Sequence, residues 1–312
     1  MKPLTAKEIR GNWATLLLPI CPDDRIDYDL LSAEMDYLIS AKVNGIYSNG
    51  SAGEFYAQTE EEFDRVQALL AKKCTAAGMP FQIGAAHPSA QVARERIRRT
   101  KALHPSAFQV TLPDWFPPTL DEILRFLETM AAEAAPIPLI VYNPPHAKRK
   151  LLPPEWARIA DQITGVVGMK VPGGDDAWYA AMQPLTQRFS IFIPGHFLHL
   201  GLARGAQGAY SNVACLSPKF ALDWYDLCLR DPAAGDALGQ RIAAFWKAHI
   251  VPVITQHRLS NMAADKAAAV AGGWLPGFSP RLRWPYGFIT EELGEKIGKA
   301  ARAELPEAFD GR

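Results

Sequence analysis

Lys170 stands in the run VVGMKV, where Val166, Val167, Met169 and Val171 surround it with apolar side chains. A lysine in a buried strand either snorkels to an end or points into the space the strand ends face. Burial disfavours the ammonium, lowers the pKa and makes the free amine a nucleophile toward carbonyls. Taken alone, such a lysine reads more readily as half of a strand-end ion pair. Tyr142 shifts the balance. It ends the preceding apolar run, PLIVYN, so its phenol can reach the same place. A phenol beside an iminium can carry the proton that carbinolamine formation, dehydration and carbon–carbon cleavage each require. The bland alternative is a packed ring with a wet tip. The third feature is GSAGE at 50–54. Its small residues can aim successive backbone N–H groups at an anion, and a 2-oxo acid carries a carboxylate beside its carbonyl. The motif reads equally as an ordinary strand-to-helix turn.

Three histidines, His87, His146 and His196, each follow an apolar run. Neutral imidazoles bind metals or hydrogen-bond hydroxylated substrates. No HExxH or other compact ligand spacing accompanies them, so the expectation is substrate contact, with no metal and no cofactor. A metal-dependent barrel hydrolase or class II aldolase built on these histidines is the first alternative, and EDTA sensitivity separates it from imine chemistry. A non-catalytic 2-oxo acid-binding paralogue is the second. Binding alone needs no paired Lys170 and Tyr142, which speaks against it.

These residues must be brought together, and the elements around them suggest how. Eight apolar runs of strand length begin at Ala14, Gly45, Phe81, Ala107, Pro138, Val166, Ser190 and Gly208, and helical spacing follows each. Runs apolar on both faces are the mark of buried parallel strands. Thr59 with Glu62, and Thr119 with Glu122, read as capping boxes, and Gly78 as a helix stop. Eight such units predict an α/β (β/α)8 barrel over 1–216, whose active site lies at the C-terminal strand ends. All the residues named above fall there. A doubly wound sheet would need a Gly-rich phosphate loop, and neither GxGxxG nor a Walker A sequence occurs. Beyond strand 8 the pattern is helical only. Residues 217–312 therefore read as the last barrel helix and a C-terminal helical extension packed on the barrel.

Lys plus Arg and Asp plus Glu both number 33, and the densest basic run, Arg94 to Lys101, has helix-face spacing. Charge thus points away from nucleic acid and from anionic membranes. The N-terminal stretch lacks a signal-peptide core, and no apolar run is long enough to span a bilayer. Four scattered cysteines without a CxxC pair fit a reducing cytoplasm.

At this point a resemblance becomes legible. GSAGEFYAQTEEE, YNPP at 142–145, GMK at 168–170, GAYS at 208–211, and the late pair Lys266…Gly273 and Arg283…Pro285 occur in the order of the dihydrodipicolinate synthase/N-acetylneuraminate lyase family of class I aldolases. The chain resembles that family from about residue 10 to 295. The resemblance implies a Schiff base on Lys170, acid/base work by Tyr142, and a substrate carboxylate held by the Ser51 and Ala52 amides with the Ser51 hydroxyl. It implies Tyr210 as a wall beside the imine and a homotetramer or homodimer as the assembly. The departures matter as well. Trp115 stands where many members carry a tyrosine that relays protons to the catalytic one, and indole cannot do so. Ala147 stands where the biosynthetic synthases carry an arginine for a distal carboxylate, with Lys148 and Arg149 next along. GHFL at 195–198 replaces the G-x-D-E of sialic-acid lyases. Trp115 is similar to the subgroup that cleaves benzylidenepyruvates. A small 2-oxo acid with an uncharged distal part is the substrate these departures imply.

Overall fold

Each apolar run becomes one strand of a closed parallel barrel in the computed structural model, which describes residues 1–310. The strands are β1 (Gly11–Thr15), β2 (Gly45–Tyr47), β3 (Phe81–Gly84), β4 (Ala107–Thr111), β5 (Leu139–Tyr142), β6 (Val166–Lys170), β7 (Ser190–Pro194) and β8 (Gly208–Tyr210). They pair in sequence order, and β8 closes on β1 through Gly11↔Gly208. That closure needs glycine: a Cβ on Gly208 would lie 2.1 Å from the Gly11 carbonyl oxygen. The chain folds as a TIM barrel with C-terminal helices.

Alternation along the strands produces two cores. The larger lies between barrel and helices. The smaller fills the barrel itself with Ile9, Trp13, Tyr47, Ala107, Ile140, Phe192 and Tyr210. Helix Glu60–Ala77 forms the expected capping box of Thr59 with Glu62 and stops at Gly78, at φ 66°. Helix Leu120–Ala134 forms the second box, of Thr119 with Glu122.

Several strand boundaries differ from the sequence expectation, most of all in the first and last strands. The first strand was expected from Ala14 to Ile20, but β1 runs from Gly11 to Thr15; Leu16, Leu17 and Leu18 are buried beyond its end, and Ile20 forms only an isolated bridge with Ile26. An apolar run reports burial, not ladder hydrogen bonds, and this loop packs into the outer core. Likewise β8 stops at Tyr210, and Val213–Leu216 turns into a short helix. The C-terminal helices include Pro218–Arg230, Pro232–Phe245, Asn261–Gly272 and Glu291–Glu304. Helix Asn261–Gly272 does more than cover the barrel: it packs against the Ser51–Gly53 turn at the strand ends. No helix among the described residues is long and apolar enough to cross a membrane.

Candidate active site

Parallel pairing sets Tyr142 of β5 in register with Lys170 of β6. In-register residues of neighbouring strands point the same way, so both side chains enter the barrel mouth. There they line a cavity of about 290 Å³ with Tyr47, Ser51, Ala52, Tyr210 and Asp265. Lys170 Nζ lies 4.1 Å from the centre of the Tyr142 ring, 4.9 Å from that of Tyr47 and 5.4 Å from that of Tyr210. It donates to Tyr47 Oη at 3.3 Å, and among the described residues it forms no ion pair. Burial pulls the Lys170 amine down to about 8, with Asp265 and Cys215 pulling the other way. Ring faces favour the ammonium while desolvation opposes it, and here desolvation wins. Gly50 keeps the amine accessible on one side, since a Cβ there would sit 2.8 Å from the Tyr47 ring and 3.7 Å from Lys170 Nζ.

Tyr142 Oη and Ser51 Oγ are 3.3 Å apart. Burial pushes the Tyr142 phenol up to about 12, the Ser51 contact opposing, so near neutral pH it holds its proton ready to donate. The Tyr210 hydroxyl points elsewhere: it donates to Gln82 Oε1 at 2.7 Å, which leaves the ring to face the cavity.

Ser51, Ala52 and Gly53 form one buried 3₁₀ turn. The Gly53 and Glu54 amides close it onto Gly50 and Ser51. The Ser51 and Ala52 amides, first in the turn, donate to no protein acceptor among the described residues. The turn is held from behind. Glu54 adopts φ 50° and sends its carboxylate into the protein, where Lys266 Nζ meets Oε1 at 2.7 Å and both side chains are fully buried. Lys266 also donates to the Leu18 and Arg281 carbonyls at 2.6 Å each. Glu54 Oε2 accepts from the Arg283 amide at 2.8 Å.

The three histidines do not converge. His87 lines no cavity with Lys170: its Nδ1 accepts from the Ser89 amide at 2.9 Å, at the start of helix Ala90–Thr100. His146 lines a smaller neighbouring cavity with Asp114, Asn143 and Ala147. His196 alone lines the Lys170 cavity. Its backbone amide donates to Asn212 Oδ1 at 3.1 Å, which fixes the Asn212 amide, so Asn212 Nδ2 donates to His196 Nδ1 at 2.8 Å. His196 therefore carries its proton on Nε2. Burial, against the Asn212 contact, pulls its pKa down to about 4, so the ring is neutral. The described residues hold no group of three His, Cys, Asp or Glu arranged to bind a metal.

Trp115 is not at the cavity. It is 87% exposed, and Lys148 Nζ donates to its carbonyl at 2.9 Å and lies over its ring. Prolines 113, 117 and 118 bracket this loop, each with its own φ fixed, and Phe116 beside Trp115 is likewise exposed. Arg149 is engaged with Glu155. Neither loop cation lines the Lys170 cavity.

Among the cavity residues that the sequence did not single out, Tyr47 and Asp265 stand nearest to the chemistry of Lys170. Tyr47 had a usable signal: it closes the short run from Gly45, two positions after a residue that must face the interior. Asp265 had none, because it comes from a helix more than forty residues beyond the last strand.

The sequence model of the dihydrodipicolinate synthetase family matches residues 8–301. The chain belongs to this family. Its members are Schiff-base-forming class I lyases. Among the relatives, a 4-hydroxy-tetrahydrodipicolinate synthase of Thermomicrobium roseum is 28% identical over 81% of this chain and 86% of its own. A trans-O-hydroxybenzylidenepyruvate hydratase-aldolase of Sphingobium xenophagum is 26% identical over 99% of this chain and 97% of its own. Among solved structures, a prophage protein of the same family from E. coli K12, in complex with pyruvate, superposes with a TM-score of 0.83 at 19% identity, covering 95% of this chain and 98% of that one. This last likeness speaks for the shared fold.

Proposed function

We propose that this dihydrodipicolinate synthetase family member condenses its Lys170 amine with a small 2-oxo acid and uses the resulting iminium to cleave, form or dehydrate the acid's distal half. The observation that carries this reading is a partly buried amine without an ion pair among the described residues, beside a phenol in register and a turn whose first two amides have no partner among them. The Ser51 and Ala52 amides and the Ser51 hydroxyl take the substrate carboxylate, which places C2 near Nζ. The neutral amine attacks C2. Tyr142 gives its proton to the departing hydroxyl, water leaves, and the iminium forms. The iminium then accepts the electron pair released when C3–C4 breaks, and Tyr142 receives the proton of a C4 hydroxyl. Tyr47 and Tyr210 wall the imine.

Pyruvate with borohydride should add one reduced adduct, on Lys170, read by peptide mass spectrometry. No adduct with any 2-oxo acid, or labelling elsewhere, removes the imine mechanism. Tyr142→Phe should keep pyruvate binding and lose about 10²- to 10⁴-fold in turnover. A near-normal kcat in that variant takes Tyr142 out of the reaction.

The distal part of the substrate is proposed to be uncharged. Beyond Lys170 the cavity is lined by Trp246, Ile250, Val251 and Ile254, with no second lysine and no arginine. Ala147 offers no cation at its own position in the loop after β5, and of the next two residues Lys148 is engaged by the Trp115 carbonyl and Arg149 by Glu155. Aspartate semialdehyde, which ends in a carboxylate, should be turned over negligibly, as a coupled assay with pyruvate will read. An aromatic or hydroxylated distal group fits this lining, in keeping with the hydratase-aldolase relatives. Robust turnover of aspartate semialdehyde overturns this assignment.

A further inference from the structure

One carboxyl of the cavity has no task in the proposed reaction. Asp265 lies on helix Asn261–Gly272, where Asn261, Ala264 and Asp265 present one face to the cavity. It is the one acidic side chain in the lining, as Lys170 is the one strong cation. Nearly every other carboxylate that reaches the interior is engaged. Glu54 meets Lys266, Glu34 accepts from the Leu17 amide at 2.7 Å, and Glu62 pairs with Arg283. Asp265 makes no hydrogen bond and no ion pair among the described residues; its one notable influence is the charge of Lys170. The helix cannot swing this carboxyl away, because the next residue, Lys266, is bound on the other side by Glu54 and by the Leu18 and Arg281 carbonyls.

A fixed, unpartnered carboxyl facing an open cavity is an acceptor and donor in want of a partner. It cannot serve the substrate's own carboxylate, which it repels and which has a cradle at Ser51 and Ala52. Its partner belongs to the distal half. A distal carboxylate is repelled as well. A hydroxyl suits it in either protonation state, donating to the carboxylate or accepting from the acid. Burial pushes the Asp265 carboxyl up to about 7, with Lys170 opposing, so both states are populated near neutral pH. The same cavity is lined by further hydroxyl partners: Asn261, four residues earlier, and His196, held neutral with its proton on Nε2.

We propose that Asp265 is the specificity-determining residue of the distal pocket, binding a hydroxyl of the substrate's distal half and excluding a distal carboxylate. The inference rests on the Schiff-base reading, which places the 2-oxo acid's head at Lys170.

The test is competitive borohydride trapping on Lys170 of probes matched in chain length. 2-Oxopentanoate ends in a methyl, 5-hydroxy-2-oxopentanoate in a hydroxyl and 2-oxoglutarate in a carboxylate, and the six-carbon set extends the reach by one atom. None can undergo aldol cleavage, because none bears a C4 hydroxyl. In the wild type one hydroxylated probe should be trapped about 10- to 100-fold more efficiently than its methyl counterpart, the scale of a hydrogen bond to a charged group. The dicarboxylate should be trapped less than the methyl probe. Asp265→Leu should erase the hydroxyl preference. Asp265→Asn, which keeps the shape without the charge, should admit the dicarboxylate while keeping part of the preference for hydroxyl. These are ratios within one variant, so a general loss of stability does not move them. Equal trapping of hydroxyl and methyl probes in the wild type overturns the proposal while the imine stands. So does a hydroxyl preference that survives in Asp265→Leu. If pyruvate itself fails to label wild-type Lys170, the Schiff-base reading falls and this inference falls with it.

Discussion

Lys170→Met and Lys170→Arg should each lose the borohydride adduct completely and lower kcat/KM on the order of 10⁶-fold, the scale reached when a covalent nucleophile is deleted. Methionine fills much of the same space without an amine. Arginine keeps the charge but never loses its proton at working pH, so it cannot form an imine. The pair separates chemistry from electrostatics. If Lys170 served only to attract a carboxylate, arginine would retain much of the activity. The pH dependence gives a further sign. A free amine is the reacting form, and burial has brought Lys170 down to about 8. Trapping of pyruvate should therefore rise about tenfold per pH unit below 8 and level off above it, whereas an ordinary lysine would keep gaining to about pH 10.4. A profile still climbing at pH 9.5, or turnover in Lys170→Arg within tenfold of the wild type, contradicts the proposed nucleophile.

The parts of this site that could be read from the sequence are those carried by the strands. Lys170 and Tyr142 each sit in an apolar run, and once eight runs are seen the barrel places both at one mouth. The GSAGE turn could be located and read as an anion cradle, but its geometry could not be read. Its two free amides depend on where the first hydrogen bonds of a 3₁₀ turn fall, and its rigidity on a lysine 212 positions away. Loop residues fared differently. His87 and Trp115 follow strands just as His196 does, yet a helix cap claims one and a proline-bracketed loop carries the other outward. Strand periodicity says where a strand ends, not which way the next five residues turn. Asp265 lay beyond local reasoning altogether, because its place depends on how a whole C-terminal helix packs on the turn after β2.

That packing leads to the second large effect. Lys266→Met should destabilise the protein by about 3–5 kcal/mol, the cost of breaking a buried ion pair from one side. Melting should fall on the order of 10 °C. The cause is what the methionine leaves behind. Glu54 would keep a charge with no counter-ion, and the Leu18 and Arg281 carbonyls would lose their donor, all without access to water. Replacing both partners is gentler. In Glu54→Gln with Lys266→Met the orphaned charge is gone, and the glutamine carbonyl can still accept from the Arg283 amide as Glu54 Oε2 does. The double variant should thus regain roughly half of the loss, because a neutral unpaired group is cheaper to bury than a charged one. Thermal unfolding of the wild type, both single variants and the double variant gives the coupling energy directly. Function should follow the turn. With Glu54 unanchored, the Ser51 and Ala52 amides lose their fixed direction, so half-saturating pyruvate in the trapping assay should rise in Lys266→Met even well below its melting temperature. A melting shift under 2 °C, or additive single effects, would mean that the pair is not what ties the C-terminal helix to the carboxylate cradle.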